Sequence, residues 1–191
     1  MSLMVVLTAW TGFQGTHWSS AQSERYSRAT AARTESVRAS NTAGQQIALD
    51  VAVFLAWTEA YAEGDTRRAD FVYERFPDRL RPAADAWVAL NPLDNTDAPA
   101  TPFEMDEYVV PAVQEADEWL LEADDSFDAA TAASNHTGSY VATTVVFAAV
   151  LFFAGMSVKL TSRRNRLVVL VLAGIGTVAG IVRLLTLPIE L

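Results

Sequence analysis

The chain of 191 residues holds no cysteine, and its only side chains that titrate near neutrality are His17 and His136. Disulfides, thiolate metal sites and thiol catalysis are therefore excluded. With Glu24 and Asp128, the two histidines supply residue types that could hold a metal ion or sense pH. Both lie where an apolar segment meets a polar one, however, and boundary histidines ordinarily hydrogen-bond water or lipid headgroups. That simpler role is the expectation here. Ten carboxylates and no base lie between Glu104 and Asp128. Their spacing does not match an EF-hand loop, so a solvated, partly arginine-paired helix face is expected rather than a divalent-cation site. There is no phosphate-cradling glycine loop, no nucleophile elbow, no zinc-protease motif and no basic nucleic-acid patch. Asn135-His136-Thr137 matches a glycosylation sequon, but its place against an apolar segment makes it a poor acceptor. The sequence therefore points to no catalytic residue, no cofactor and no nucleic-acid partner.

What must position these residues is set by the uneven spread of apolar side chains. The composition is 51% hydrophobic with a net charge of -9, too greasy for a disordered chain. Residues 137–158 and 167–182 carry no charge at all. Val141–Val158 would extend about 27 Å as a helix, enough for a thin hydrocarbon core, with Tyr140 and Lys159 as interfacial anchors. Leu167–Leu187 is a further span, interrupted only by Arg183. The turn 159–166 holds four bases and no acid, which places it in the cytoplasm by the positive-inside rule. Leu3–Phe13 is apolar but crosses only about half a bilayer and lacks the basic start of a signal peptide. It is expected to be the outer part of a first transmembrane helix whose inner end is trimmed or mis-started; a buried amphipathic anchor is the alternative. The domains expected are thus a partial span 1–18, an extracytoplasmic domain 19–136, a span 137–158, a cytoplasmic turn 159–166, a span 167–187 and an external tail 188–191.

The extracytoplasmic domain reads as helical throughout. Thr16–Glu63 has no proline, Gly64 stops it, and Asp65 is placed to cap a short helix over Thr66–Phe76. Pro82 can open another over Ala83–Leu90, whereas Asn91–Met105, with three prolines, reads as a loop. From Val110 the chain can run unbroken into the second span. The fold class expected is all-α: an integral membrane protein with a long antiparallel helical hairpin or bundle continuous with its transmembrane helices. Ala29, Ala32, Ser36, Ala39 and Ala43 form one stripe at spacings of three and four, and Val113, Ala116, Leu120, Ala123, Phe127 and Ala130 another. Small side chains facing large ones would pack the hairpin. A register that sets His17 beside His136 would pair Arg25 with Asp128, Arg28 with Asp125 and Arg38 with Glu115.

Within the spans, Gly176 and Gly180 make a small-residue ridge, expected to pack on Ala148, Ala149 and Gly155 of the preceding span or on another subunit. Trp10, Gln14, Trp18 and Gln22 share one face of the first helix and are expected to form an interfacial aromatic girdle. Arg183 lies about 26 Å along its span from Arg166 and is expected to snorkel to the headgroups, with Glu190 or Asp128 as alternative partners. Ala9-Trp10-Thr11-Gly12-Phe13-Gln14 leading into a polar helix, and Phe153-Ala154-Gly155-Met156-Ser157-Val158 before Ser162-Arg163-Arg164, resemble a group of uncharacterised prokaryotic three-span membrane proteins with a helical extracytoplasmic domain. That resemblance implies a membrane topology and no activity. The function expected is a non-enzymatic sensor, scaffold or assembly subunit in the cell membrane, acting with a lipid bilayer, a homo-oligomeric or other membrane-protein partner, or an external ligand. An oligomeric channel or transport subunit is the alternative.

Overall fold

A computed structural model describes residues 2–92 and 94–190; Met1 and Leu191, the ends of the first and last predicted segments, and Leu93 of the predicted loop lie outside the described residues. Among the described residues all regular structure is helical. The order is α1 (Ser2–Ala62), α2 (Thr66–Tyr73), α3 (Arg81–Ala89), a 3-10 turn at Pro102–Glu104, α4 (Pro111–Ser157) and α5 (Arg163–Thr186). Gly64, with φ of 75°, ends α1, and the Asp65 carboxylate caps α2 by accepting the Arg68 N–H at 3.0 Å. Both roles follow from the sequence. So does the unbroken run of α4 from polar into apolar composition.

Two helices, α4 and α5, are long and apolar enough to cross a membrane. Only 22% and 11% of their apolar stretches are buried among the described residues. α1 has no such window among its described residues. Its N-terminal apolar stretch, Leu3–Phe13, has about half the length a span requires.

The chain divides into two compact units, residues 1–31 with 122–191 and residues 32–121. The division falls inside the predicted 19–136 domain, because side chains near both ends of that stretch, Ala133 and Arg25 among them, pack with Trp18, Tyr140 and Glu190. In the first unit, Trp18, Ala133 and Tyr140 form a buried cluster with Leu184 and Leu187 against it. α1 meets α4 at Gly15, where a Cβ would make an ordinary contact with that of Tyr140 at 3.6 Å. Gly176 and Gly180 bring α5 onto α4: a Cβ at Gly176 would meet Val150 Cγ2 at 2.8 Å, and one at Gly180 would drive into the Phe147 ring. The predicted ridge is therefore a close contact, but its partner differs. Ala148 and Ala149 are exposed, and a Cβ at Gly155 would meet nothing. The inward face of α4 carries Tyr140, Thr143, Phe147 and Val150, at spacings of three and four, and Ala148 and Ala149 lie about 100° and 200° around the helix from Phe147.

In the second unit, Ala32, Ser36, Ala39 and Ala43 of α1 are buried, as are Ala112 and Ala116 of α4. The Ser36 hydroxyl donates to the Ala116 carbonyl at 2.9 Å, a contact possible only where two helix backbones lie close. The α1 stripe is as predicted; of the α4 stripe, Ala116, Ala123 and Ala130 are buried as predicted and the three large positions are not. Along α4 the buried positions are Ala112, Ala116, Ala123, Ser126, Ala130 and Ala133, while Val113, Leu120 and Phe127 stay 41%, 43% and 47% exposed. Small side chains thus line both helices, in place of the predicted small-on-large packing. Beyond them Phe54, Phe76, Leu80 and Ala84 make the main core, with Val53, Trp57, Val72, Tyr73, Trp87, Phe103 and Tyr108 packed on it.

The glycine contact makes a position-specific prediction. Gly180→Leu should lower stability in detergent by about 1–3 kcal/mol through overpacking. Gly155→Leu, facing open space, should leave it unchanged or raise it by up to about 1 kcal/mol through helix propensity. Thermal unfolding followed by circular dichroism separates the two.

Candidate functional site

Asp50 stands in an otherwise apolar run, Ile47–Leu55, and is fully buried. Such a carboxylate must be paired. Arg79, from the turn before α3, meets it side-on: Nε donates to Oδ2 at 2.7 Å and Nη2 to Oδ1 at 2.8 Å. Nη2 also reaches the Gln46 carbonyl at 3.3 Å, and the Tyr108 hydroxyl donates to Asp50 Oδ2 at 2.8 Å. Burial first, then the hydrogen bond and charge of Asp50, hold the Tyr108 phenol well above its usual pKa. This network ties α1, the turn before α3 and the segment before α4 together. Each member is occupied by the others, so it positions the chain and leaves no free nucleophile or base.

What it helps to position is a cleft in the same unit, of about 610 Å³, with Trp57, Tyr61 and Trp87 among its walls and Thr58, Asn91 and Asp94 as its polar lining. The volume lies within the ordinary range for small-molecule sites. Phe54 carries both tryptophans, with ring centroids 5.8 Å from Trp57 and 5.5 Å from Trp87. Tyr61 stacks on Trp57 at 5.4 Å and 27°. The Trp87 indole N–H is taken by the Pro99 carbonyl at 2.7 Å, which fixes the ring in its wall. Asn91 has φ of 51°, the left-handed conformation that asparagine tolerates better than most residues. Its carbonyl accepts the N–H groups of Asp94 and Asn95, both at 3.0 Å, so the chain turns back at the cleft rim.

The residues singled out in the sequence are placed differently. His17 packs on Phe13 at 4.3 Å and His136 on Trp18 at 4.5 Å, while Glu24 pairs with Arg28 at 2.9 Å. These three, with Asp128, are not gathered, and among the described residues no group of three His, Asp or Glu could hold a metal ion. The predicted cross-hairpin ion pairs are replaced by local ones. Arg28 takes Glu24 one turn away and Arg38 takes Glu35 at 2.9 Å, instead of Asp125 and Glu115. Arg25 misses Asp128 by one residue: it donates to the Ala129 carbonyl at 3.3 Å and reaches Glu190 at 3.6 Å. Neighbours along one helix meet without a long side chain spanning the gap between helices.

Trp18 and Tyr140 are not girdle residues. Both are buried and both donate to the Pro188 carbonyl, at 3.2 and 2.8 Å. Gln14 is also buried, and its amide makes reciprocal bonds with the Glu190 backbone at 3.2 and 3.1 Å. Trp10, Lys159 and Arg183 remain exposed, and among the described residues no ion pair involves Arg183. Sequence reasoning found the Gln14–Trp18 face but not the tail it holds. It missed Asp50 altogether, although a lone carboxylate in an apolar run was the available signal.

No family model, no curated protein and no solved structure matches this chain. The resemblance to three-span membrane proteins therefore brings no function with it, and the site must be read from its own residues.

Three measurements check this geometry. Asp50→Ala should cost about 3–5 kcal/mol by leaving Arg79 half-buried without its partner, and Tyr108→Phe about 1–2 kcal/mol, in denaturant unfolding. Because the Tyr108 pKa is raised on folding, its share of stability is complete below about pH 10 and falls as pH rises beyond that; Tyr108→Phe should flatten this alkaline loss. At the tail, Trp18→Phe and Tyr140→Phe each leave one donor on the Pro188 carbonyl and should cost about 1 kcal/mol. The double variant should cost more than the two together, and a double-mutant cycle reads the difference.

Proposed function

We propose that the protein is a non-enzymatic receptor or assembly subunit of a cell membrane, anchored by α4 and α5, whose helical unit of residues 32–121 meets a ligand or protein partner outside the cytoplasm. The observation that carries this reading is the ligand-sized, aromatic-walled cleft in that unit. The basic turn 159–166 favours a cytoplasmic position for the short connection between the spans. A receptor with so small a cytoplasmic turn would pass its signal through a partner, either a second copy or another membrane protein.

The channel alternative is less favoured, on the chemistry of the apolar helices. Beyond Thr143, Thr144, Ser157, Thr177 and Arg183 the apolar runs 141–158 and 167–187 hold almost no polar side chain, a poor lining for a pore. The test is sidedness followed by flux. Cysteines placed as Asn95→Cys and Ser162→Cys should label from opposite faces of intact cells with an impermeant reagent, and liposomes carrying the protein should show no ion flux. Labelling of both positions from one face, or a conductance, would overturn the proposal.

A further inference from the structure

From the make-up of the cleft we infer that its ligand is an organic cation carrying an alkylated ammonium group; this rests on the receptor reading above. Three aromatic side chains, Trp57, Tyr61 and Trp87, contribute to its walls, and the one ionisable acid among its lining residues is Asp94. Among the described residues no lysine, arginine or histidine lines it. Among the described residues the Asp94 carboxylate makes no ion pair or side-chain hydrogen bond; its backbone N–H alone is used, by Asn91. A carboxylate beside aromatic rings, without a base to neutralise it, is the arrangement that attracts a soft, weakly hydrated cation. The ring faces present negative potential, and the carboxylate supplies the counter-charge.

The alternatives fit less well. An anion would meet Asp94 with no cationic group to offset it. A sugar also stacks on tryptophan, but it needs several directed polar partners, and the Trp87 N–H is already committed to Pro99. A bare metal ion would find one carboxylate and no further acid or histidine in the lining. The net charge of -9 raises the local concentration of cations of every kind, and the aromatic walls select among them for alkylated ones.

The full chain in detergent micelles, titrated calorimetrically with choline, tests this. A neutral carbon isostere, with a tert-butyl group in place of trimethylammonium, and glucose serve as comparison probes. Choline should bind saturably, and the isostere about tenfold more weakly. Asp94→Asn should weaken choline about tenfold and Tyr61→Ala several-fold, with Glu63→Gln unchanged. Positions 61 and 94 are exposed, and the wild-type comparison of choline with its isostere decides the matter even if a variant fails to fold. Equal affinity for choline and isostere, indifference to Asp94→Asn, or no saturable choline binding would each overturn the cation assignment. Binding of glucose or the isostere in preference to choline would do so while leaving the receptor reading standing. Same-side labelling in the topology experiment would remove that reading without affecting binding in micelles.

Discussion

Close approach of helix backbones through small residues is the constraint on which the other contacts depend. Within residues 32–121, Ala32, Ser36, Ala39 and Ala43 admit Ala112 and Ala116, and only then can the Ser36 hydroxyl reach a carbonyl of the facing helix. In the other unit, Gly176 against Val150 and Gly180 against Phe147 play the same part. Alanine and glycine bury little area each, so the hydrophobic gain per residue is small. What they allow is dispersion contact along whole helix faces, together with hydrogen bonds that bulkier side chains would hold apart. This explains why Val113 and Leu120 stay largely exposed while Phe127 meets α1 through its ring, edge-on to Tyr26 with centroids 5.5 Å apart: a large residue at any one of the small positions would separate the helices along the whole stripe.

A small-residue seam fixes spacing but is poor at fixing register, because one alanine resembles the next. Polar anchors supply the missing specificity. Asp50, fully buried, accepts Arg79 in two bonds and Tyr108 in a third. A buried ion pair adds little compared with an apolar replacement of the same shape, yet it heavily penalises any arrangement that separates its members. Sequence positions 50, 79 and 108 therefore come together in one way only. The aromatic core around Phe54 is locked beside them, and both tryptophan walls of the cleft rest on that core.

The fold was legible because its signals are local. Gly64, Asp65 and Pro82 punctuate the short helices, and two uncharged runs announce α4 and α5. The α1 alanine stripe was legible for the same reason, being a period along one helix. The facing stripe was legible at Ala116, Ala123 and Ala130 but misjudged at Val113, Leu120 and Phe127, because those large residues repeat with the same period as the alanines and hydrophobicity favours the larger set. Only the neighbouring helix, already lined with small side chains, selects between them. The ion pairs failed similarly: a register that is correct to within a residue still leaves Arg25 opposite Ala129 rather than Asp128, and local acids compete for Arg28 and Arg38. The cleft was not legible at all. Its walls come from residues near 57, 87 and 91, and nothing in their spacing shows that Phe54 carries both tryptophans.

The tail shows how neutral and charged contacts divide their work. Pro188 cannot continue a helix and holds the preceding Leu187 extended, with φ of -84° and ψ of 138°, so α5 ends at Thr186 and the chain turns away. The Pro188 carbonyl then faces two donors from two different helices, the indole of Trp18 and the phenol of Tyr140, while Gln14 completes the Glu190 backbone. Four neutral hydrogen bonds from largely buried side chains hold three residues. By comparison the Arg25–Glu190 contact, at 3.6 Å with both side chains about a third exposed, contributes at most about 1 kcal/mol. Salt screens that ion pair but not the neutral bonds. The end of α5 is thus fixed by hydrogen-bond geometry, and the exposed Arg183, three residues before the helix ends, takes no part in it.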